Sequence, residues 1–95
     1  IPSLYAVGGY DSLMLIDSAV KAAGTEDRAA LRAALRAADF HSLRGNFSFS
    51  TNQFPVQDFY VTRAIKDAEG NYRTSVVEKV FTAAADSYVG DCPMK

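Results

Sequence analysis

From Leu13 onward the chain spells a helix that is apolar over most of its surface, and that stretch limits what the remainder can be. Leu13, Ile16 and Val20 share one face, Met14 and Leu15 widen it, and Asp17, Ser18 and Lys21 leave a narrow polar stripe. Such a helix is expected to be buried on most sides, with a sheet on one face and a neighbour on another. Gly24 is placed to stop it in the left-handed conformation that follows a helix end. Asp11 or Ser12 is placed to cap its start. Ahead of it, Leu4-Tyr5-Ala6-Val7 after Pro2 reads as a short extended segment, interrupted by Gly8-Gly9.

The residues beyond Gly24 supply little of the cover such a helix needs. Thr25 is expected to cap a second helix, with Glu26 and Asp27 adding negative charge at its positive end. Leu31, Ala34, Leu35 and Ala38 form its apolar face, and Arg28, Arg32 and Arg36 recur on another. Residues 40–44 read as a loop punctuated by Gly45. Asn46-Phe47-Ser48-Phe49-Ser50 then alternates polar and aromatic residues, the period of a half-buried strand. Thr51-Asn52-Gln53-Phe54-Pro55 reads as a linker. Next come two strand-like runs, residues 58–66 and 72–81, joined by the five-residue loop Asp67-Ala68-Glu69-Gly70-Asn71. The tail from Ala83 has little periodicity, and Pro93 argues against helix near its end. Strand, helix, helix, strand, linker, hairpin and tail hardly close on themselves, so the order implies further body elsewhere.

Composition narrows the function classes. The 95 residues are 48% apolar and 22% charged, with ten basic residues against eleven acidic ones and a net charge of −1. That balance offers no electrostatic case for nucleic acid or an anionic membrane. The longest apolar stretch, residues 13–16, is far too short to span a bilayer. The chain starts at Ile1 rather than Met and shows no charged-then-apolar leader, so an upstream portion is expected to have been removed. Cys92, the single cysteine, has no internal disulfide partner and would pair outside the chain if it pairs at all.

The series Pro2-Ser3-Leu4-Tyr5-Ala6, Tyr10-Asp11 and Ala22-Ala23-Gly24 resembles the last third of type I periplasmic binding proteins, the branched-chain amino acid receptor family of ABC transporters. The likeness runs on through the helix around residues 31–35 to Phe40 and Arg44-Gly45-Asn46-Phe47-Ser48-Phe49. It continues with Asn52-x-x-Pro55-x-Gln57-Asp58-x-Tyr60, and closes on Tyr88 and Cys92-Pro93-Met94. It covers nearly the whole chain in order.

The resemblance implies an α/β fold: the C-terminal portion of a two-lobe type I receptor, made of two helices, a strand and a β-hairpin and incomplete as a stand-alone domain. Residues 1–9 would be one crossover between lobes and 51–57 another, serving as a hinge. Residues 10–50 would belong to the N-terminal lobe and 58–95 to the C-terminal lobe. Function would be capture of a small carboxylate-bearing solute, an amino acid or an aromatic acid, and its delivery to an ABC permease outside the cytoplasm, in the periplasm. Tyr5 is the position that carries over as ligand-binding, its ring against the ligand's side chain, with Ala6 and Tyr10 as neighbours. Gln57-Asp58-x-Tyr60 resembles members that take up aromatic carboxylates. Most of the ligand's polar contacts would come from earlier chain, so this portion is expected to bind no ligand alone and to self-associate through its exposed edges.

Chemical alternatives weigh less. Nucleophilic catalysis needs a Ser or Cys beside a positioned base, and His41 and Cys92 show no such spacing. One His and one Cys do not make a zinc site without carboxylates, so neither metal nor cofactor is expected and no residue is assigned a catalytic role. Gly8-Gly9 lacks the further residues of a phosphate loop, and Asp11 would repel an anion there. The arginine stripe reads as a solvated helix side, and Phe47 and Phe49 as strand residues facing a core. Asp17 and Asp39 offer no paired-carboxylate geometry legible in sequence. A free-standing α+β interaction module that oligomerises through its hairpin edge is the alternative from another class, with a small hydrolase behind it.

Overall fold

The computed structural model describes residues 4–92. It is an α/β arrangement of two helices and a three-stranded antiparallel sheet: α1 (Leu4–Ala23), α2 (Arg28–Ala37), β1 (Phe47–Phe49), β2 (Pro55–Lys66) and β3 (Tyr72–Ala84), with sheet order β1-β2-β3. The readings that rest on Pro2 and Pro93 lie outside the described residues.

The first correction concerns α1. The segment read as extended, Leu4-Tyr5-Ala6-Val7, is helical, and the helix continues unbroken through Gly8-Gly9. Leu and Ala are good helix formers, and each glycine costs only about 1 kcal/mol relative to Ala. Propagation from the long apolar stretch behind it carries the helix through. Neither Asp11 nor Ser12 is therefore a cap. Ser12 instead donates its hydroxyl to the Gly8 carbonyl at 2.8 Å, and Asp11 reaches across to another element. At the far end Gly24 behaves as expected: it adopts φ +69° and its amide bonds the Val20 carbonyl at 2.8 Å.

The second correction concerns α2. Its N-cap is Asp27, not Thr25: the Asp27 carboxylate accepts from the amides of Ala29 at 2.8 Å and Ala30 at 3.1 Å. A carboxylate at this position adds charge–dipole stabilisation to the capping bond, which a threonine hydroxyl does not. The expected apolar face holds, with Leu31, Ala34 and Leu35 half-buried and Ala38 buried, while the three arginines are exposed. Ala38 ends the helix in the left-handed region.

Phe47–Phe49 forms the expected short strand, with both rings half-buried and Ser48 facing out. The rings of Phe40 and Phe47 meet edge-to-face at 5.3 Å, and those of Phe47 and Phe49 at 5.2 Å. The segment read as a linker, residues 51–55, is instead a tight hairpin turn over residues 50–54 followed by Pro55 at the start of β2. The Ser50 amide bonds the Phe54 carbonyl, the Gln53 amide bonds the Ser50 carbonyl, and Gln53 sits at φ 63°. β1 can therefore pair with the start of β2, Phe47 opposite Gln57 and Phe49 opposite Pro55. The buried side chain of Asn52 bonds Asp86 at 2.8 Å and ties the tail to this turn.

Beyond Gln57, β2 has β3 as its sole partner among the described residues, and the two run on as a two-stranded arm. Its loop at residues 67–71 is the expected one. The Asp67 carboxylate organises it, accepting from the amides of Glu69 and Asn71 and from Arg73 Nε at 2.6 Å. The Asn71 amide, with the Arg73 side chain beside it, holds the Asp67 carboxyl below the usual range.

The core is thin. Ala19 and Ala38 are the buried hydrophobic residues among those described, and no large side chain is fully enclosed. α1 packs on α2 and α2 on β1, which leaves Leu13 70% exposed and Ile16 more than half exposed. The burial expected around α1 is not supplied within the described residues, because one short helix and a three-residue strand cannot cover it.

Candidate functional site

Two polar constellations join elements distant in sequence. The first starts at Asp11, which is buried in the middle of α1 and would be costly there without partners. Its Oδ2 accepts from the Ser42 hydroxyl at 2.6 Å and its Oδ1 from the Leu43 amide at 3.0 Å. Ser42 Oγ in turn accepts from the Arg44 amide, so the loop after α2 is pinned to α1. Arg44 then sends Nη1 to Gln57 Oε1 at 2.9 Å, linking the loop to β2. Of these residues, Asp11 and Arg44 border a cleft of about 210 Å³ between α1 and β1, which is walled by Leu15, Phe40, Phe47 and Phe49 and edged also by Gly8 and Ser12.

The second constellation centres on Asp58 in β2, 4% exposed. It accepts from Lys79 Nζ of β3 at 2.5 Å, from the Ala83 amide at 2.9 Å and, more weakly, from the Tyr60 hydroxyl at 3.5 Å. The Lys79 ammonium and the Ala83 amide hold the Asp58 carboxyl below the usual carboxylate range, and the same contact raises Lys79. Lys79 also lies over the Tyr60 ring. Gly45 passes close by at φ +89°, where a Cβ would stand 3.1 Å from Tyr60 Oη and 3.3 Å from Asp58 Oδ2. An open, mostly polar cleft of about 440 Å³ borders this group, lined also by His41 and Asn46.

Chemically, neither group resembles a reaction centre. Asp58 is engaged on both oxygens by donors, which makes it a poor base. His41 and Cys92 are both exposed. Among the described residues no cluster of three or more His, Cys, Asp or Glu is placed to hold a metal ion. Every buried side-chain nitrogen or oxygen among them has a partner.

The sequence-derived ligand residues all lie on the first turns of α1. Tyr5 is 88% exposed, Tyr10 is exposed and Ala6 is exposed. At 100° per residue the helix puts Tyr5 on the side that carries Gly8, Ser12 and Leu15, whereas Ala6 and Tyr10 face the other way. One helix therefore does not bring the three together. Sequence reading gave no role to Arg44, Lys79 or the Asp11 carboxylate beyond a cap. The signal available for Asp58 and Gln57 was a pair of polar residues at the head of a strand otherwise rich in apolar ones.

Residues 1–70 match the family model described as periplasmic binding protein. The chain therefore belongs to the periplasmic binding protein family, a solute-binding family that works outside the cytoplasm. No curated protein and no solved structure matches the chain. Among the described residues no helix is long and apolar enough to cross a membrane.

Proposed function

We propose that this chain is the C-terminal portion of a type I receptor of the branched-chain amino acid class, which captures a small carboxylate-bearing solute by closing two lobes and passes it to an ABC permease. Binding is the whole of the proposed chemistry. The observation that carries the reading is the family match over residues 1–70, which spans α1, the Asp11–Ser42–Arg44 network and the first hairpin turn. Residues 51–57, most of the hairpin turn and the start of β2, take the hinge role, residues 10–50 belonging to one lobe and 58–95 to the other. Of the crossover at residues 1–9, the described residues 4–9 lie on the first turns of α1. Tyr5 forms part of the pocket wall, since an exposed ring at the start of a helix is free to meet a ligand held by another lobe, while Ala6 and Tyr10, on the other side of α1, are the weaker candidates. Tyr5→Ala in the full-length receptor should weaken binding of amino acids or aromatic acids by calorimetry while leaving the unfolding midpoint in place. Unchanged affinity removes Tyr5 from the site.

A second reading is favoured by one feature. β3 lies at the sheet edge with its outer side unpaired among the described residues, as in a module that associates by strand addition. Intact mass of the protein as expressed separates the two: the receptor reading requires several hundred further residues, the module a product of about this length.

A further inference from the structure

Among the described residues, three of the four buried polar or charged side chains, Asn52, Gln57 and Asp58, sit in or beside the segment given the hinge role. Each is held by a different element. Asn52 Nδ2 donates to Asp86 Oδ2 of the tail at 2.8 Å. Gln57 Oε1 accepts from Arg44 Nη1 of the loop after α2 at 2.9 Å. Asp58 accepts from the Ala83 amide at the end of β3, and Ala84 stands opposite Gln57, so the tail leaves the sheet beside the hinge. Neither the Asn52 nor the Asp86 bond across this gap is needed for the local turn. Asn52 Oδ1 already accepts from the Phe54 amide, and Asp86 Oδ1 from the Tyr88 amide.

We propose that Asn52–Asp86 and Arg44–Gln57 form a crossed latch that fixes the angle between the two lobes, which change angle only as these bonds release. The inference rests on the receptor reading and its hinge at residues 51–57, and it names what holds the lobes before they move. The two grips cross the hinge in opposite senses. Asn52, at the end next to residues 10–50, is held by Asp86 of the other lobe. Gln57, at the far end, is held by Arg44 of residues 10–50, whose loop is anchored to α1 through Asp11. A hinge gripped by each lobe only at its own end could swing with no bond lost. Here a swing about residues 51–57 stretches both bonds, and N–H···O bonds hold only to about 3.2 Å. One bond has a carboxylate acceptor and the other a cationic donor, so each is roughly twice as strong as a neutral one.

The test is the distance between spin labels on the full-length receptor, placed by Arg32→Cys on α2 and Glu69→Cys at the hairpin tip, both exposed. The background is otherwise free of cysteine and includes Cys92→Ser. Hydrogen exchange of the Gln53 and Phe54 amides is read alongside. Asn52→Asp sets two carboxylates against each other while its Oδ1 can still accept from Phe54. It should broaden the distance distribution and speed that exchange about tenfold, the loss of one hydrogen bond to a charged group. Adding Asp86→Asn reverses the bond, so that residue 86 donates and residue 52 accepts, and should restore both readouts. A general loss of packing would not be repaired in this way. Arg44→Met keeps the apolar stem, cuts the other grip and should broaden the distances as well. Unchanged distances in Asn52→Asp and Arg44→Met overturn the latch, and so does a double variant that stays as broad as Asn52→Asp alone. Should Asn52→Asp fail to fold, Arg44→Met decides. Intact mass judges the receptor reading separately. A receptor-length product whose distances ignore these variants loses only the latch, whereas a product of about this length removes the reading and the latch together.

Discussion

Asp58 and Lys79 show how a single pair makes stability depend on pH. The Asp58 carboxyl is held below its ordinary value by Lys79 and by the Ala83 amide. Its contribution is therefore fully present above the unfolded value of about 3.9 and is lost as pH falls through the lower folded value. Lys79 is raised by the same contact. Its contribution is present below about 10.4 and is lost as pH rises through the higher folded value. The chain should hold a stability plateau across neutral pH with an acid limb below about pH 4. Asp67, also lowered, titrates in the same window, so Asp58→Asn should flatten the acid limb without removing it. The same substitution at pH 7 should lower the unfolding midpoint more than Asp17→Asn. Asp17 pairs with Lys21 on the open face of α1, where ion pairs contribute little, whereas the Asp58 side chain is 1% exposed. Equal shifts in the two variants would mean that the Asp58 pair is as screened as a surface one.

Among the elements, caps and turns decide more than propensity does. Asp27→Ala should cost α2 about 1 kcal/mol, read as a lower unfolding midpoint, and Thr25→Ala should change little because the cap is Asp27. The opposite ranking would restore the threonine cap. Two glycines with positive φ separate backbone strain from crowding. Gly70, at φ +83° in the hairpin loop, has open space around it, so Gly70→Ala meets only the left-handed penalty of about 1–2 kcal/mol. Gly45→Ala meets that penalty and also crowds Tyr60 and Asp58, so it should destabilise more. Chemical denaturation of the two variants side by side checks the difference.

At the scale of the molecule, the described residues extend 52 × 32 × 16 Å with a radius of gyration of 16.5 Å. That exceeds the roughly 13 Å of a compact domain of this size. The hairpin arm accounts for much of the length, and it is not a polar arm. Phe59 and Phe81 meet edge-to-face at 6.5 Å, and both are exposed, as are Val61 and Ile65 on the same strand. With Leu13 and Ile16 of α1 also open, the exposed apolar surface calls for cover. The chain on its own should therefore run as an oligomer in light scattering, and Val61→Lys with Phe81→Lys should shift it toward the monomer. A monomer at every concentration would refute this.

Periodicity and punctuation alone determined α2, its apolar face, the aromatic strand, the hairpin with its five-residue loop and the end of α1 at Gly24. Each of these depends on neighbours a few positions away. The family resemblance was likewise legible, because it rests on the order of residues. The start of α1 was not legible: local rules break a helix at Gly8-Gly9, and the cooperativity of the long apolar segment overrides them. Nor was the linker, which became a tight turn only because β1 found a partner in β2. Tertiary structure alone decided the polar networks. Asp11 with Ser42 lies 31 positions apart and Asp58 with Lys79 lies 21 apart. Nothing local marks such pairs. They form because a buried carboxylate must find donors wherever the fold brings them.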